Sequence, residues 1–581
     1  MFFKIKTLFN LMKPKRYLYI LGLVLSSVSI IIALFPPAII GALIDYGILA
    51  NNKALIIQLI IIAFSIILIK NIMRYFMSMS LESAVQHCAV TLKDRLFSNL
   101  QHLDISFYSA NTSGDLMARL TGDLDMVRHF FAYVVHVSFE AVFQFVASFI
   151  FLLTINVPLT LLLMVCAPFI AFFSYKMFKN LRSMHVRNRE AYSQLNSITK
   201  ENIDGNRTVK AFVREEYESD KMKVGNDKVR DINIEINRKW LKFSLLIDFF
   251  SLSLSAIALV VGGYFCITKQ ITIGELSVFT GLLWAISGPL RLAAPIINDF
   301  QRVSASLDKI MPIYFATPNI YDKEDAKDID SIKDSIVFEN VSFSIGKTKI
   351  IKNINLEIKS GETLAIMGPT GSGKSTILSL LLRIYDVSEG SIKIDGIDIR
   401  DYKLDSLRRC FGVSAQDVFL FSNTIEGNIA FSDPEMSIEE IQKYASSSCA
   451  DSFIRKTPEG YETIIGEMGV GLSGGQKQRI SLARALAANA SVLVLDDTTS
   501  AVDMETEKKI QDELSKINCT KIIIAQRITS VFKADKIMIL EKGEISQIGN
   551  HNYLKNIDGY YKTVLDIQHP DRIAEEVVCN G

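Results

Sequence analysis

Six apolar stretches, each long enough to cross a lipid bilayer as a helix, lie in the first half of this 581-residue chain. A membrane-spanning helix needs about 20 mostly apolar residues. A single stretch of this kind could be a buried core helix, but six in succession favour a membrane domain. We expect the spans at residues 17–44, 54–76, 132–155, 157–178, 243–267 and 274–299.

The connections between these stretches differ in length and in charge. Those near residues 51–53, 156 and 269–272 are short and carry almost no Lys or Arg, whereas those at 77–131 and 179–242 are long and basic. Positive charge predicts that the long connections lie in the cytoplasm, with both termini on the same side of the cytoplasmic membrane. The spans are expected to continue there as long helical extensions.

Charged residues that lie in or beside the apolar stretches include Asp45, Glu140, Asp248 and Arg291. Charged groups are costly in lipid and often face a cavity or a partner charge. They either line a substrate path or lie at the ends of spans, and the sequence leaves both interpretations open.

A polar, charged segment at residues 316–335 is predicted to be a linker. Before it, residues 1–315 form the predicted membrane domain, which begins with a basic amphipathic interfacial helix. After it, apolar strands alternate with helical patterns over 336–568, as expected for an α/β domain with a parallel sheet. Residues 569–581 form a tail without an assigned role.

The net charge and the cysteine pattern give no indication of nucleic-acid binding, a zinc site or a disulfide framework. The net charge of +1 gives no reason to expect nucleic acid. The seven cysteines are dispersed, which predicts neither a zinc site nor a disulfide framework.

The segment GPTGSGKS at residues 368–375 matches the phosphate-binding pattern GxxxxGK[ST] in full. It follows the apolar strand 363–367 and precedes a helical pattern at 376–384, which is the context that the motif requires. Backbone N–H groups of such a loop bind phosphate oxygens, Lys374 reaches the β- and γ-phosphates, and the Ser375 hydroxyl can ligate Mg²⁺. The chain is therefore predicted to bind ATP with Mg²⁺.

Two consecutive carboxylates, Asp496 and Asp497, end an apolar strand. At the carboxyl edge of a parallel sheet, Asp496 can hold the Mg²⁺ shell, and Asp497 is placed to orient the attacking water. Both could instead cap the next helix, but the complete phosphate-binding loop favours the catalytic interpretation.

A second glycine-rich helix start lies at residues 471–476, GLSGGQ. Ser473 and the free N–H groups of Gly474 and Gly475 can bind another phosphate. One chain does not need two such sites for one γ-phosphate, so we expect two chains facing head to tail, each closing over the other's ATP.

LSGGQ between a phosphate-binding loop and a strand ending in two carboxylates resembles the ABC transporters. The connections at 114–128 (GDLMARLTGDLDMVR) and 201–212 (ENIDGNRTVKAF) resemble that family's intracellular loops. Residues 1–568 as a whole resemble a half-size exporter of the bacterial multidrug type. The resemblance implies six spans per chain, a dimer of two such chains, and ATP-driven alternating access. It further implies export of amphipathic drugs, lipids or peptides.

The resemblance also implies roles for single residues. Gln416 matches the glutamine that links Mg²⁺ to the membrane domain, Glu467 the acidic residue before LSGGQ, and Asp503 the aspartate at the dimer seam. The predicted contacts to this chain's own ATP are Ile345, Gly368, Pro369, Thr370, Gly371, Ser372, Gly373, Lys374, Ser375, Thr376 and Gln416. The predicted contacts to the partner's ATP are Ser473, Gly474, Gly475, Gln476 and Asp503, and the predicted Mg²⁺ ligands are Ser375, Gln416 and Asp496.

Three residues depart from the family pattern. Asp497 replaces the family's catalytic glutamate, Gln526 its switch histidine, and Ile345 its adenine-stacking aromatic residue, with Phe343 as an alternative aromatic nearby. All three belong to the site built on this chain's own phosphate-binding loop, whereas LSGGQ is intact. We therefore expect a subunit with a weakly hydrolytic site that lends LSGGQ to the active site of a different half-transporter. The alternatives are a homodimer with two slow sites and an ATP-gated channel or membrane sensor.

Overall fold

The computed structural model describes residues 2–466, 469 and 471–568. Glu467 and the predicted tail at 569–581 lie outside the described residues. The chain divides into two compact units. The first contains residues up to His102 and Asn111–Thr317, and the second contains Leu103–Ala110 and the described residues from Pro318 onward.

The first unit is helical and contains six helices that are long and apolar enough to cross a membrane. It begins with α1 (Phe2–Leu11), and a short helix, α3 (Asn206–Ala211), lies between the fourth and fifth long helices. The six are span 1 (Lys13–Ile48), span 2 (Lys53–His102), span 3 (Ser113–Ile155), span 4 (Val157–Asp204), span 5 (Glu215–Ile267) and span 6 (Ile273–Tyr314).

The spans extend well beyond the thickness of a bilayer. Span 2 has 50 residues, which corresponds to about 75 Å at the rise of an α-helix, against a hydrocarbon core of about 30 Å. The expected long helical extensions are therefore present.

Polar side chains fix the short turns between spans. Asn156 begins span 4, where its Oδ1 accepts a hydrogen bond from the Leu159 N–H at 3.0 Å. Thr272 begins span 6 with a reciprocal capping box to Glu275. These caps satisfy N–H groups that have no partner inside the helix, so the chain can turn within a few residues.

Three of the charged residues in the apolar stretches have specific partners. Asp45, near the end of span 1, accepts a hydrogen bond from the Gly274 N–H at the start of span 6. Asp248 of span 5 pairs with Arg291 of span 6 at 2.6 Å. Asp45 thus lies at a span end, whereas the Asp248–Arg291 pair joins two neighbouring spans.

The second unit contains two β-sheets. Its strands are β1 (Ser335–Ile345), β2 (Thr348–Lys359), β3 (Thr363–Met367), β4 (Glu389–Ile394), β5 (Ile397–Asp398), β6 (Phe411–Ser414), β7 (Val492–Asp496), β8 (Thr520–Ile524), β9 (Lys536–Glu541) and β10 (Glu544–Gly549). The larger sheet has the order β10-β9-β3-β8-β7-β6 and is parallel except for β10. The predicted parallel core is therefore present.

The smaller sheet has the order β2-β1-β4-β5 and is antiparallel. The sequence predicts β1 and β2 as strands but not as members of a separate sheet. Only two residues join them, and so short a connection can pair strands only in the antiparallel sense. Gly346 in this turn has a φ of 60°, a left-handed conformation that glycine adopts easily.

The second unit also contains α-helices. They are α2 (Ile105–Ala110), α4 (Lys374–Leu381), α5 (Leu404–Arg409), α6 (Ile425–Ile429), α7 (Ile438–Ser447), α8 (Asp451–Ile454), α9 (Gly474–Ala487), α10 (Met504–Ser515), α11 (His551–Leu554) and α12 (Tyr560–Gln568).

The second half of the segment that was predicted to be a linker packs against the second unit. Ile329 and Ile332 are buried in the core of the second unit. The backbone N–H groups of Lys333 and Asp334 donate to the Asp395 carboxylate at 3.0 and 2.8 Å. Isolated isoleucines in a charged run have no helical or strand periodicity, so the sequence pattern did not indicate this packing.

Candidate nucleotide-binding site

The loop between β3 and α4 needs glycine at several positions. Gly368, Gly371 and Gly373 have φ angles of 149°, 80° and 104°, which L-residues rarely adopt. A Cβ atom on Gly368 would lie 2.1 Å from the Leu540 carbonyl oxygen. The curled backbone that exposes its N–H groups is therefore compatible only with this glycine pattern.

The loop borders a cavity of about 240 Å³. Ten of the predicted site residues line it, and the structure adds Ile350 and Ile524, which the sequence analysis missed. The ten are Thr370, Gly371, Gly373, Lys374, Ser375, Thr376, Gln416, Asp496, Asp497 and Gln526. The segments that follow β6, β7 and β8 meet at this cavity because the carboxyl ends of parallel strands lie at one edge of a sheet.

Lys374 is the first residue of α4, directly after the glycine-rich loop. Its Nζ donates to the carbonyl oxygens of Gly368 and Pro369 at 2.9 and 2.8 Å. Burial lowers the pKa of Lys374, and the neighbouring carboxylates of Asp496 and Asp497 oppose that effect. A phosphate is a stronger acceptor for an ammonium group than a neutral carbonyl, so Lys374 is suited to bind one.

Ser375 and Asp496 form a pair of oxygen ligands. The Ser375 Oγ donates to Asp496 Oδ2 at 2.8 Å, and Asp496 is only 7% exposed at the end of β7. Burial, together with the negative charge of Asp497, raises the pKa of Asp496. A hydroxyl and one carboxylate fit Mg²⁺, which commonly takes its other ligands from phosphates and water.

Hydrogen bonds hold both the N–H and the carbonyl group of Asp497. Its φ is 50°, and its N–H donates to the Ile524 carbonyl at 2.9 Å. Its own carbonyl accepts from Gln478 Nε2 at 3.3 Å and from Ser500 Oγ at 3.0 Å. The Asp497 side chain therefore enters the cavity from a main chain that is fixed on both sides.

Gln526 reaches the same cavity from the end of β8. Its side chain is exposed, while its backbone carbonyl accepts a hydrogen bond from Gln568 Nε2 at 2.9 Å. Asp497 and Gln526, two of the three departures from the family pattern, thus line the same cavity as Lys374 and Ser375.

Ile345 does not line this cavity. It lies at the end of β1 and is 53% exposed. Phe343 is buried and packs against Tyr385 with ring centroids 5.2 Å apart. Phe343 is therefore not free to stack on a base, and the contact of Ile345 with adenine stays a prediction.

The second glycine-rich helix start has a complete cap. The Ser473 N–H donates to Gln476 Oε1 at 2.8 Å, and the Gln476 N–H donates to Ser473 Oγ at 3.3 Å. Gly475 approaches the backbone of Ala501 so closely that a Cβ atom would lie 2.7 Å from the Ala501 carbonyl oxygen. None of the residues 473–476 lines the cavity described above.

Asp503 caps α10, which follows directly. Its side chain accepts a hydrogen bond from the Thr506 N–H at 2.9 Å. This bond holds the pKa of Asp503 below its usual value, so its carboxylate is negatively charged at the start of α10.

One ion pair with a buried carboxylate was missed by the sequence analysis. Glu507 is 4% exposed and accepts hydrogen bonds from Arg527 Nη1 at 2.7 Å and from Ser530 Oγ at 2.5 Å. Arg527 Nη2 also donates to the Ser500 carbonyl at 3.2 Å. The pair connects the segment that follows Asp497 to the segment that follows Gln526. In the sequence, the pair was indicated only by the arginine next to Gln526.

Two family models match the chain. The model described as the ABC transporter transmembrane region matches residues 19–290. The model described as ABC transporter matches residues 351–500, which include the phosphate-binding loop, LSGGQ and Asp496.

Individual proteins match over most of their length. An ATP-dependent lipid A-core flippase of Syntrophus aciditrophicus (strain SB) is 33% identical over 521 residues, which is 89% of this chain and 86% of that protein. The multidrug resistance-like ATP-binding protein MdlA of Buchnera aphidicola subsp. Baizongia pistaciae (strain Bp) is 35% identical over 550 residues, 93% of this chain and 95% of that protein. A solved bacterial Atm1-family ABC exporter with ATP bound matches with a TM-score of 0.80 and 23% identity, over 96% of this chain and 99% of that one. At that identity the structural match shows the fold.

Proposed function

This chain belongs to the ABC exporters that carry a membrane domain and an ATPase domain on one polypeptide, and we propose that it is the subunit with the weakly hydrolytic ATP site in a heterodimeric exporter. The exported compounds would be amphipathic drugs, lipids or peptides. The ATPase domain and both termini would face the cytoplasm.

The observation that carries the proposal is Asp497. Its side chain is one methylene shorter than the family's glutamate, which withdraws the carboxylate by about 1.5 Å. The backbone hydrogen bonds at Asp497 oppose a shift of the main chain that would restore the distance. Misplacement by about 1 Å can lower a reaction rate on the order of a hundredfold.

Gln526 adds a second defect to the same site. Its amide can donate to or accept from a γ-phosphate, but it cannot carry a positive charge as a histidine can. The site would therefore bind ATP through the loop and Lys374, with Ser375 and Asp496 holding Mg²⁺. When bound, Mg²⁺ neutralises charge on the β- and γ-phosphates.

The intact LSGGQ supports a role for this chain at the ATP of a second chain. Its cap is complete, and it lies outside the chain's own phosphate cavity. It would bind the γ-phosphate on a second half-transporter, whose own glutamate and histidine would carry out hydrolysis. A homodimer with two slow sites is the alternative within transport.

The proposal can be tested on this chain alone, because a homodimer would contain two impaired sites and two intact LSGGQ segments. The purified wild-type chain in lipid nanodiscs is expected to hydrolyse ATP slowly. The double variant Asp497→Glu/Gln526→His should raise the turnover by at least about tenfold, since it restores both groups.

Lys374→Ala in the double variant is the matched control and should abolish the gained turnover. Brisk ATP hydrolysis by the wild-type homodimer, unchanged by the two substitutions, would contradict the proposal.

A further inference from the structure

The connection between spans 2 and 3 includes a short segment, Leu103–Ala110, that belongs to the second unit. It contains Asp104, directly followed by α2. We propose that residues 319–327 of the linker, here called the strut, transmit nucleotide binding to this segment, and that Asp104 is the positioning residue to which the strut is attached. This route does not include Gln416, the residue that the family resemblance links to the membrane domain.

Asp104 accepts three hydrogen bonds from the start of the strut. Its Oδ2 accepts from the Asn319 N–H at 2.8 Å and from Asn319 Nδ2 at 2.7 Å, and its Oδ1 accepts from the Ile320 N–H at 3.2 Å. Successive backbone N–H groups that point at one anion form a directional contact, and hydrogen bonds to a carboxylate are stronger than those between neutral groups. The contact therefore fixes the strut to the residue before α2.

The strut is also held by the segment that leads into α5. The Asp322 carboxylate accepts a hydrogen bond from the Leu404 N–H at 2.8 Å. Further along, the Lys327 N–H donates to the Asp401 carbonyl at 2.8 Å, and the Lys327 carbonyl accepts from the Lys403 N–H at 2.9 Å. A flexible linker behaves as a random coil, whereas these contacts fix the strut at both ends.

Between its ends the strut contacts the segment that follows α4. The Tyr321 carbonyl accepts a hydrogen bond from Arg383 Nη2 at 3.2 Å. Arg383 lies two residues after the end of α4 and is only 4% exposed, and its Nε also donates to Asp386 Oδ1 at 3.1 Å. Helix α4 begins with Lys374 and is about 12 Å long at the rise of an α-helix. A shift of α4 on phosphate binding would therefore move the Arg383 guanidinium that holds the strut.

The two contacts of the strut are almost adjacent along the chain. Asp104 binds the N–H groups of Asn319 and Ile320, and Arg383 binds the carbonyl of Tyr321. Peptide groups are planar and stiff, so three residues leave little freedom to absorb a displacement by bending. Coupling through contiguous contacts of this kind is demonstrated by showing that both ends respond to the ligand.

Hydrogen–deuterium exchange of the full chain in lipid nanodiscs measures that response. The non-hydrolysable analogue AMP-PNP with Mg²⁺ is expected to slow exchange of peptides that cover residues 368–376, which reports binding. It should also slow exchange over residues 103–112 and 318–324 by at least about twofold, because binding lowers the population of locally open states.

Variants of Asp104 test its part in this response. Asp104→Ala should keep the protection of residues 368–376 but reduce the AMP-PNP response over residues 103–112 to less than about half, since the attachment is lost. Asp104→Asn retains one oxygen acceptor and should keep most of the response. Asp94→Ala, which removes an exposed aspartate of span 2, is the matched control and should leave the response unchanged.

Arg383→Lys tests the other contact of the strut. It removes the Nη2 group that binds the Tyr321 carbonyl and should reduce the same response. Residues that act in one network have non-additive effects. The double variant Asp104→Ala/Arg383→Lys should therefore lose no more than the larger of the two single losses, and additive losses would overturn the single route.

The absence of an AMP-PNP response over residues 103–112 in the wild-type chain, or an equal response in Asp104→Ala, would overturn the proposal. Faster exchange in Asp104→Ala by the same factor with and without nucleotide would also overturn it, because that result indicates a structural role alone. Loss of protection at residues 368–376 in Asp104→Ala would place its effect at the nucleotide site and overturn the route. Brisk ATP turnover would contradict the weakly hydrolytic site without changing any of these outcomes.

Discussion

Asp496 and Asp497 are neighbours in sequence, yet their side chains line the same cavity. Successive side chains of a strand point to opposite faces. The left-handed backbone at Asp497 ends that alternation and turns its carboxylate back towards Asp496. Aspartate is among the residues that tolerate this conformation. The motif predicted both residues for the site, but the sequence pattern did not predict this change of direction.

The two carboxylates lead to a prediction about pH. Mg²⁺ binding requires ionised Asp496, and burial together with the charge of Asp497 raises its pKa. Mg²⁺-dependent ATP affinity should therefore fall on acidification from a pH above the ordinary aspartate range, near 3.9. Asp497→Asn removes the neighbouring charge and should move the midpoint to lower pH.

Titration of ATP affinity against pH, with and without Mg²⁺, measures this midpoint. The affinity without Mg²⁺ is the internal control, because it does not depend on ionised Asp496. A midpoint that stays in place in Asp497→Asn would show that the two carboxylates do not interact.

The Glu507–Arg527 pair joins helix α10 to the loop after β8. Glu507 lies on α10 after Asp503, and Arg527 lies on the loop after β8 beside Gln526. Glu507→Gln keeps the shape but removes the charge that pairs with Arg527 in a buried position. Because Arg527 is partly exposed, the expected loss in the free energy of unfolding is about 1–3 kcal/mol.

Thermal or denaturant unfolding of the full chain measures that loss. Glu505→Gln on the same helix is the matched control, since Glu505 is exposed and pairs with Lys509 at the surface. In the Asp497→Glu/Gln526→His background, Glu507→Gln should also lower ATP turnover more than Glu505→Gln does. Equal effects of the two substitutions would exclude a positioning role for Glu507.

Elements whose sequence signal lies in one contiguous segment were easier to predict than contacts between segments far apart in the chain. The phosphate-binding loop, LSGGQ and the fully buried strands β7 and β8 each have a contiguous sequence signal. The antiparallel pairing of β4 with β1 joins residues far apart in the chain. The Glu507–Arg527 pair was likewise missed, because its two residues lie on different elements.

In the part of the chain that the structure describes, two helix starts that are predicted to bind anions do not share a cavity. One is the loop at 368–375, and the other is the capped start of α9 at Ser473. In a dimer of ABC exporters, each would act on a different ATP. We therefore expect this chain to hold one ATP with little hydrolysis and to contribute Ser473–Gln476 to hydrolysis of the other.

A mixed dimer of two differently tagged chains separates these two roles. Wild-type and Asp497→Glu/Gln526→His chains with different tags are co-expressed and the mixed species is purified, so that each dimer has one impaired and one restored site. Ser473→Ala is then placed in either chain, which removes the same helix cap in both cases. ATP turnover should be lost when the wild-type chain carries Ser473→Ala and nearly retained when the restored chain carries it. Equal loss in the two dimers, or the reverse order, would contradict the account.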